Sequence, residues 1–181
     1  MTLVHSLVIA VLLPMAGTIP RPEPIRALTE FLERVADYVE MRREVTAGID
    51  GPDYCSDAEA LFRQAERRAA ALRNARPLAT EGSIFTPRSA VFFHARLAHA
   101  MRIGALDLTA AVDGHDDVAL EVHGTLPWGA GRPVSARLVG VLPPLPEELE
   151  YRFVGRHLVL LDVQANLVVD VLRNALPTGI E

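Results

Sequence analysis

The chain has 181 residues, half of them apolar and 23% charged, with a formal net charge of −5; such a profile buries a core, and it excludes a disordered chain and disfavours a general binder of nucleic acid. All 18 basic residues are arginine, so Schiff-base and lysine-nucleophile mechanisms are excluded for want of an amine side chain. The one cysteine, Cys55, cannot make an intramolecular disulfide and reads as a bystander thiol in the loop-like stretch Gly51-Pro52-Asp53-Tyr54-Cys55-Ser56.

Residues 1–18 read as an export signal. The apolar run Leu7-Val8-Ile9-Ala10-Val11-Leu12-Leu13 precedes Pro14 and the small residues Ala16, Gly17 and Thr18, where a peptidase is expected to cut before Pro20. The segment departs from the ideal in having no Arg or Lys in Met1 to His5. It falls short of the roughly 20 apolar residues of a comfortable membrane span, and it is the only route to a membrane, as an uncleaved anchor. The remainder, residues 19–181, is expected to be a single domain with a helical part over 24–104 and a strand-rich part over 105–181.

After the stiff Pro20-Arg21-Pro22-Glu23-Pro24 spacer, apolar residues from Ile25 through Leu28, Phe31, Leu32, Val35, Tyr38, Val39 and Val45 recur at helical spacing and predict an amphipathic helix ending near Gly48. Leu28, Leu32 and Val35 are expected in the core. Arg42 and Arg43 fall in the last turn, where cations complement the helix dipole. Ser56 with Glu59 is a capping box opening a second helix, with Leu61, Phe62, Ala65, Ala69 and Leu72 on its face and Pro77 at its end. Thr86 as N-cap and Pro87 in the first turn start a third helix. Its expected core face is Val91, Phe93 or Phe92, Leu97, Ala98 and Met101, with Gly104 after it. His94 and His99 are five residues apart and so lie on different faces, at about 100° per residue, which does not suit chelation.

The acidic stretch Asp113-Gly114-His115-Asp116-Asp117, with Glu121 and His123 beyond it, supplies the candidate metal ligands His115, Asp116, Asp117 and His123. The spacing does not match a calcium loop, which needs alternating ligands and a distal Glu. The plainer expectation is a solvated loop leading into a strand over 118–122 and then, past a Gly129-Ala130-Gly131 loop, a short helix within 134–142. From Leu149 the pattern predicts a three-stranded antiparallel meander with turns at Gly155-Arg156 and Gln164-Ala165-Asn166. Leu149, Tyr151 and Phe153 alternate with Glu150 and Arg152, giving one wet face, whereas Leu158 to Leu161 suits a strand covered on both sides. Tyr151, Phe153, Val159, Leu161, Val169 and Val171 are expected to be buried. Asp162 and Asp170 read as acids at strand ends or edges, where charge discourages edge-to-edge association. The fold class is therefore α+β, about three N-terminal helices packed on a small C-terminal antiparallel β-meander.

The arrangement of the apolar N-terminal segment, Phe31 to Tyr38, Ser83-Ile84-Phe85-Thr86-Pro87 and Leu142 to Pro177 resembles a family of uncharacterised exported bacterial proteins with a terminal LPPLP…YRFVGR.LVL.D..ANL.VD block. Through Tyr151, Val154-Gly155, Val159-Leu160 and Val169-Asp170-Val171, the block is also distantly similar to the C-terminal module of the RcnB-type periplasmic metal-homeostasis proteins, although Ala165-Asn166 stands where those modules have a glycine turn. The resemblance implies an exported, periplasmic protein and brings no activity with it. No Gly-x-Ser-x-Gly, His-Glu-x-x-His, phosphate-loop or Cys-x-x-Cys pattern occurs. The expected function is thus a non-enzymatic binding or accessory role toward a protein or small molecule, without a cofactor. The alternative is a metal-dependent hydrolase or metal-binding periplasmic protein using His115, Asp116, Asp117, His123 or His157.

Overall fold

The computed structural model describes residues 23–49, 58–106, 118–127 and 129–176; the expected export signal, the Ser56 cap, Cys55 and the candidate ligands His115, Asp116 and Asp117 lie outside the described residues. The chain is an α+β protein. Three helices, α1 (Glu23–Thr46), α2 (Ala58–Ala75) and α3 (Pro87–Arg102), come first. A two-residue strand β1 (Arg132–Pro133), a one-turn helix α4 (Ala136–Val139) and the strands β2 (Leu149–Val154), β3 (His157–Asp162) and β4 (Leu167–Leu172) follow. The four strands form one antiparallel sheet in the order β1-β2-β3-β4.

The meander has the expected turns, and its backbone explains them. Gly155 takes φ +53° and Asn166 φ +46°, the left-handed region that glycine and, among side-chain-bearing residues, asparagine enter most readily. Asn166 thereby supplies the left-handed residue of the second turn, and its Nδ2 donates to Leu126 O at 2.8 Å. The helical cap at Thr86 also forms: its hydroxyl accepts from the Ser89 amide at 3.3 Å.

From Leu158 on, β3 and β4 are buried on both faces, whereas β2 keeps Glu150 and Arg152 partly exposed, as expected of its wet face, and β1 is exposed. Toward the helices, Leu149, Tyr151, Phe153, Leu158, Leu160, Leu167 and Val169 join Phe31, Val35, Phe85, Phe93 and Leu97 in the main core. Phe93 stands at its centre, with ring centroids 4.8 Å from Phe31, 5.0 Å from Phe85 and 5.9 Å from Tyr151, distances at which edge-to-face packing adds to plain area burial. On the far face Val154, Val159, Leu161, Val168 and Val171 pack under Leu120, Leu126 and Ala130. Leu161 is 2% exposed in this smaller core. Leu161→Ala should cost about 2–5 kcal/mol through lost transfer energy and the cavity left behind, read as a shifted denaturation midpoint; a change under about 0.5 kcal/mol would show that the second layer is not a true core.

Several expectations are corrected. The inward face of α1 is Ala27, Phe31, Val35, Tyr38 and Arg42, so Leu28 is only half-buried and Leu32 is exposed. The apolar arc of the helix is wider than its contact with the sheet, and its rim stays outside. For the same reason α3 buries Ser89, Phe93, Leu97 and Ala100 and leaves Val91 and Ala98 exposed, while α2 buries Ala69 and Leu72 but leaves Leu61 and Phe62 about half-exposed. Residues 118–122 form no strand. Gly124 N closes a turn onto Glu121 O at 2.9 Å, His123 N reaches Val168 O, and Val168 N reaches Gly124 O, so the segment packs on β4 through Leu120 and the ladder is limited to one bridge just beyond it, Thr125 with Leu167. The expected helix within 134–142 shrinks to a single turn. Val134 N still bonds Tyr151 O, which keeps that residue in the sheet until Ser135 caps α4, and the turn ends at Gly140.

Candidate functional site

The polar chemistry of this protein lies between the helices and the sheet. Asp162 and Asp170 are both fully buried, at 0% exposure, which corrects their reading as edge acids. A carboxylate taken out of water is stable only when donors replace its hydration, and both acids are surrounded by donors.

Asp162 ends β3 with its side chain toward α1. Its Oδ2 accepts from Arg42 Nε at 2.6 Å and from the Tyr38 hydroxyl at 3.0 Å, and its Oδ1 accepts from the Ala165 amide at 3.0 Å. Arg42 also donates to Gln164 Oε1 at 2.8 Å. Arg42 therefore faces inward, 5% exposed, and does not serve as a solvated cation on the helix end; the neighbouring Arg43 instead pairs with Glu148 at 3.1 Å. Burial first, and then the negative charge and hydrogen bond of Asp162, push the Tyr38 phenol well above its ordinary range, so it remains a neutral donor.

Asp170 is aimed at the helical layer by a β-bulge. The pairing of β3 with β4 slips between Leu160 and Leu161, leaving one extra residue on β4 and turning both Val169 and Asp170 toward the same layer. There the carboxylate accepts from the amides of Gly82 at 3.0 Å, Ile84 at 2.6 Å and Phe85 at 2.7 Å, and from its own neighbour Val171 at 2.8 Å. Burial raises its pKa, while the four amides pull against that rise. The loop that introduces α3 is thus tied to the sheet by one side chain.

Near Tyr38 and Asp170 lies Arg76, just beyond the end of α2. Its guanidinium sits over the Tyr38 ring at 5.1 Å and makes one long hydrogen bond to Val169 O at 3.5 Å. Burial pulls its pKa down, opposed by Tyr38 and Asp170. Among the described residues no carboxylate lies within ion-pairing distance of it, in contrast to Arg42, Arg43 and Arg88. Arg76 borders a cleft of about 440 Å³ between α1, the end of α2 and the 76–84 loop, with Arg34, Tyr38, Met41, Leu78 and Ile84 among its walls.

Among the described residues the histidines do not converge. His94 and His99 are exposed on α3. His157 begins β3, and its Nδ1 accepts from the Asn174 amide at 3.0 Å, a structural role. His123 has φ +70°; its carbonyl accepts from Arg73 Nε at 2.9 Å, and its pKa is lowered by burial and by Arg76 and Arg73. Among the described residues no group of three or more His, Cys, Asp or Glu is placed to hold a metal ion, and no helix is long and apolar enough to cross a membrane.

Arg76 was not singled out from sequence, where an arginine before Pro77 looks like any cation at a helix end. Asp162 and Asp170 carried a usable signal: an isolated acid within a run such as Leu167 to Leu172 is either functional or saturated by internal donors. With this geometry in place, the class of the molecule is an α+β protein whose two fully buried aspartates are satisfied by internal donors and which has an open, partly cationic cleft at Arg76. No protein-family model, curated protein or solved structure matches the chain.

Proposed function

We propose that the protein is an exported, non-enzymatic binding or accessory protein that takes a small molecule or a protein segment at the cleft between α1, α2 and the 76–84 loop. The observation that carries this reading is the contrast between its buried acids and its cleft. Asp162 and Asp170, the carboxylates most shielded from water, have their oxygens occupied by internal donors and are closed to a substrate, so general acid–base work has no free group there. The cleft has the size of a ligand site and keeps a cation in hand. Export is supported by the apolar N-terminal segment and by the resemblance of the terminal block to that of exported bacterial proteins.

One observation favours the metal-binding alternative: the Nε2 atom of His123 is buried and makes no hydrogen bond. Against it stand Arg73 and Arg76, whose charges already act on that ring and would repel a divalent cation. Mass spectrometry of the protein isolated from its host tests both parts of the reading. Under denaturing conditions the chain should lack Met1 to about Thr18, and under native conditions it should carry no stoichiometric zinc, nickel or calcium. Intact Met1 in a cytoplasmic fraction would overturn export. A stoichiometric metal lost on His115→Ala with His123→Ala would promote the hydrolase or metal-binding alternative.

A further inference from the structure

We propose that the cleft bordered by Arg76 binds an amphipathic monocarboxylate, its carboxylate paired with the Arg76 guanidinium and its apolar body lying along Met41 and Leu78. The inference rests on the reading of the cleft as a binding site and names the ligand chemistry it selects. Three observations carry it.

The first is the state of Arg76. Its guanidinium is held in place by the Tyr38 ring and spends one long bond on Val169 O, leaving most of its five donors without a strong acceptor. Asp170 is near enough to attract it, but that carboxylate is already committed to four backbone amides. A planar guanidinium in this condition offers the fork that a carboxylate fills with two parallel hydrogen bonds.

The second is the character of the walls. Leu78 is 90% exposed, the most exposed large apolar side chain among the described residues, and it stands at the cleft beside Met41 and Ile84. An apolar tail laid against Leu78 would remove that surface from water.

The third is the charge balance, which selects a single negative charge. Arg34, the other cation of the cleft, is already shared: it donates to Ser83 O at 3.0 Å and lies 3.9 Å from Glu30. Asp37 also borders the cleft and opposes a second negative charge. A dianionic phosphate would therefore meet one uncommitted cation and one acid, whereas a monocarboxylate meets a matching partner.

Calorimetric titration of the protein with octanoate, octanol and octylamine at neutral pH tests this. Octanoate should give a saturable one-to-one isotherm, with octanol and octylamine at least about tenfold weaker for want of the charge-assisted fork. Arg76→Gln should reduce octanoate to the level of octanol. Leu78→Glu, at a position too exposed to endanger folding, should weaken octanoate by placing a like charge at the mouth, with the thermal midpoint unchanged. Octanol binding as tightly as octanoate would overturn the carboxylate assignment while leaving a binding cleft in place. No binding by any of the three, or full octanoate affinity in both variants, would overturn the inference outright; export and the metal alternative are decided independently by mass spectrometry.

Discussion

Asp162→Ala is expected to destabilise the protein by about 3–5 kcal/mol, because it leaves a buried arginine without its counter-charge. The argument runs through Arg42, which is 7% exposed at its side chain and meets Asp162 at 2.6 Å. Removing the carboxylate strands that guanidinium, the Tyr38 hydroxyl and the Ala165 amide together. Among the described residues Gln164 is the side-chain hydrogen-bond partner left to Arg42, with the charge of Glu148 acting from farther off. In urea the unfolding midpoint should fall sharply with little change in slope, since the surface exposed on unfolding is nearly the same. The triple change Arg42→Met, Tyr38→Phe, Asp162→Leu should recover much of the loss, because replacing all members of a buried polar set by apolar ones removes both charge and desolvation cost. A loss below about 1 kcal/mol for Asp162→Ala would mean that water reaches the pair and that α1 is held to the sheet by apolar contact alone.

Asp170→Ala is expected to cost about 3 kcal/mol or more, by a different route: it orphans backbone donors, not a side-chain charge. The amides of Gly82, Ile84 and Phe85 converge on that one carboxylate, and an unsatisfied buried donor costs about 1–3 kcal/mol. The effect should be local as well as global. Freed of Asp170, the loop no longer presents Thr86 to cap α3, so hydrogen exchange at Ile84 and Phe85 should accelerate before the sheet opens. Asp170→Asn should be damaging too, since its amide group places a donor where donors already point. Unchanged exchange at Ile84 and Phe85 in the alanine variant would show that the loop is held by its apolar side chains.

The α3 helix and the meander were legible from local chemistry. Thr86-Pro87 opens the helix and Gly104 follows its end; Gly155 and Asn166 turn the strands; Leu158 to Leu161 reads as the covered strand and is covered. The rotation of each helix about its axis was less legible. An apolar arc containing Ala27, Leu28, Phe31, Leu32 and Val35 is compatible with more than one inward face, and the width of the sheet beneath it chose Phe31 and left Leu32 outside. The stretch 118–122 failed for a related reason: alternating apolar residues permit a strand, but a strand needs a partner edge, and the one bridge to β4 forms beyond it, at Thr125.

What the amino-acid sequence determined by itself was therefore the kind and order of elements, because caps, turns and period are decided within a few neighbouring residues. What only the tertiary structure decided was which polar residues are internal. Asp162 lies 120 positions from Arg42 and 124 from Tyr38, and Asp170 lies 86 from Ile84. No local rule connects residues at such separations, and an aspartate destined for burial has the same spelling as one destined for water. Chain closure brought the acids to their donors and left Arg76 at the cleft with its fork unfilled, which is why the candidate site was found in the fold and not in a motif.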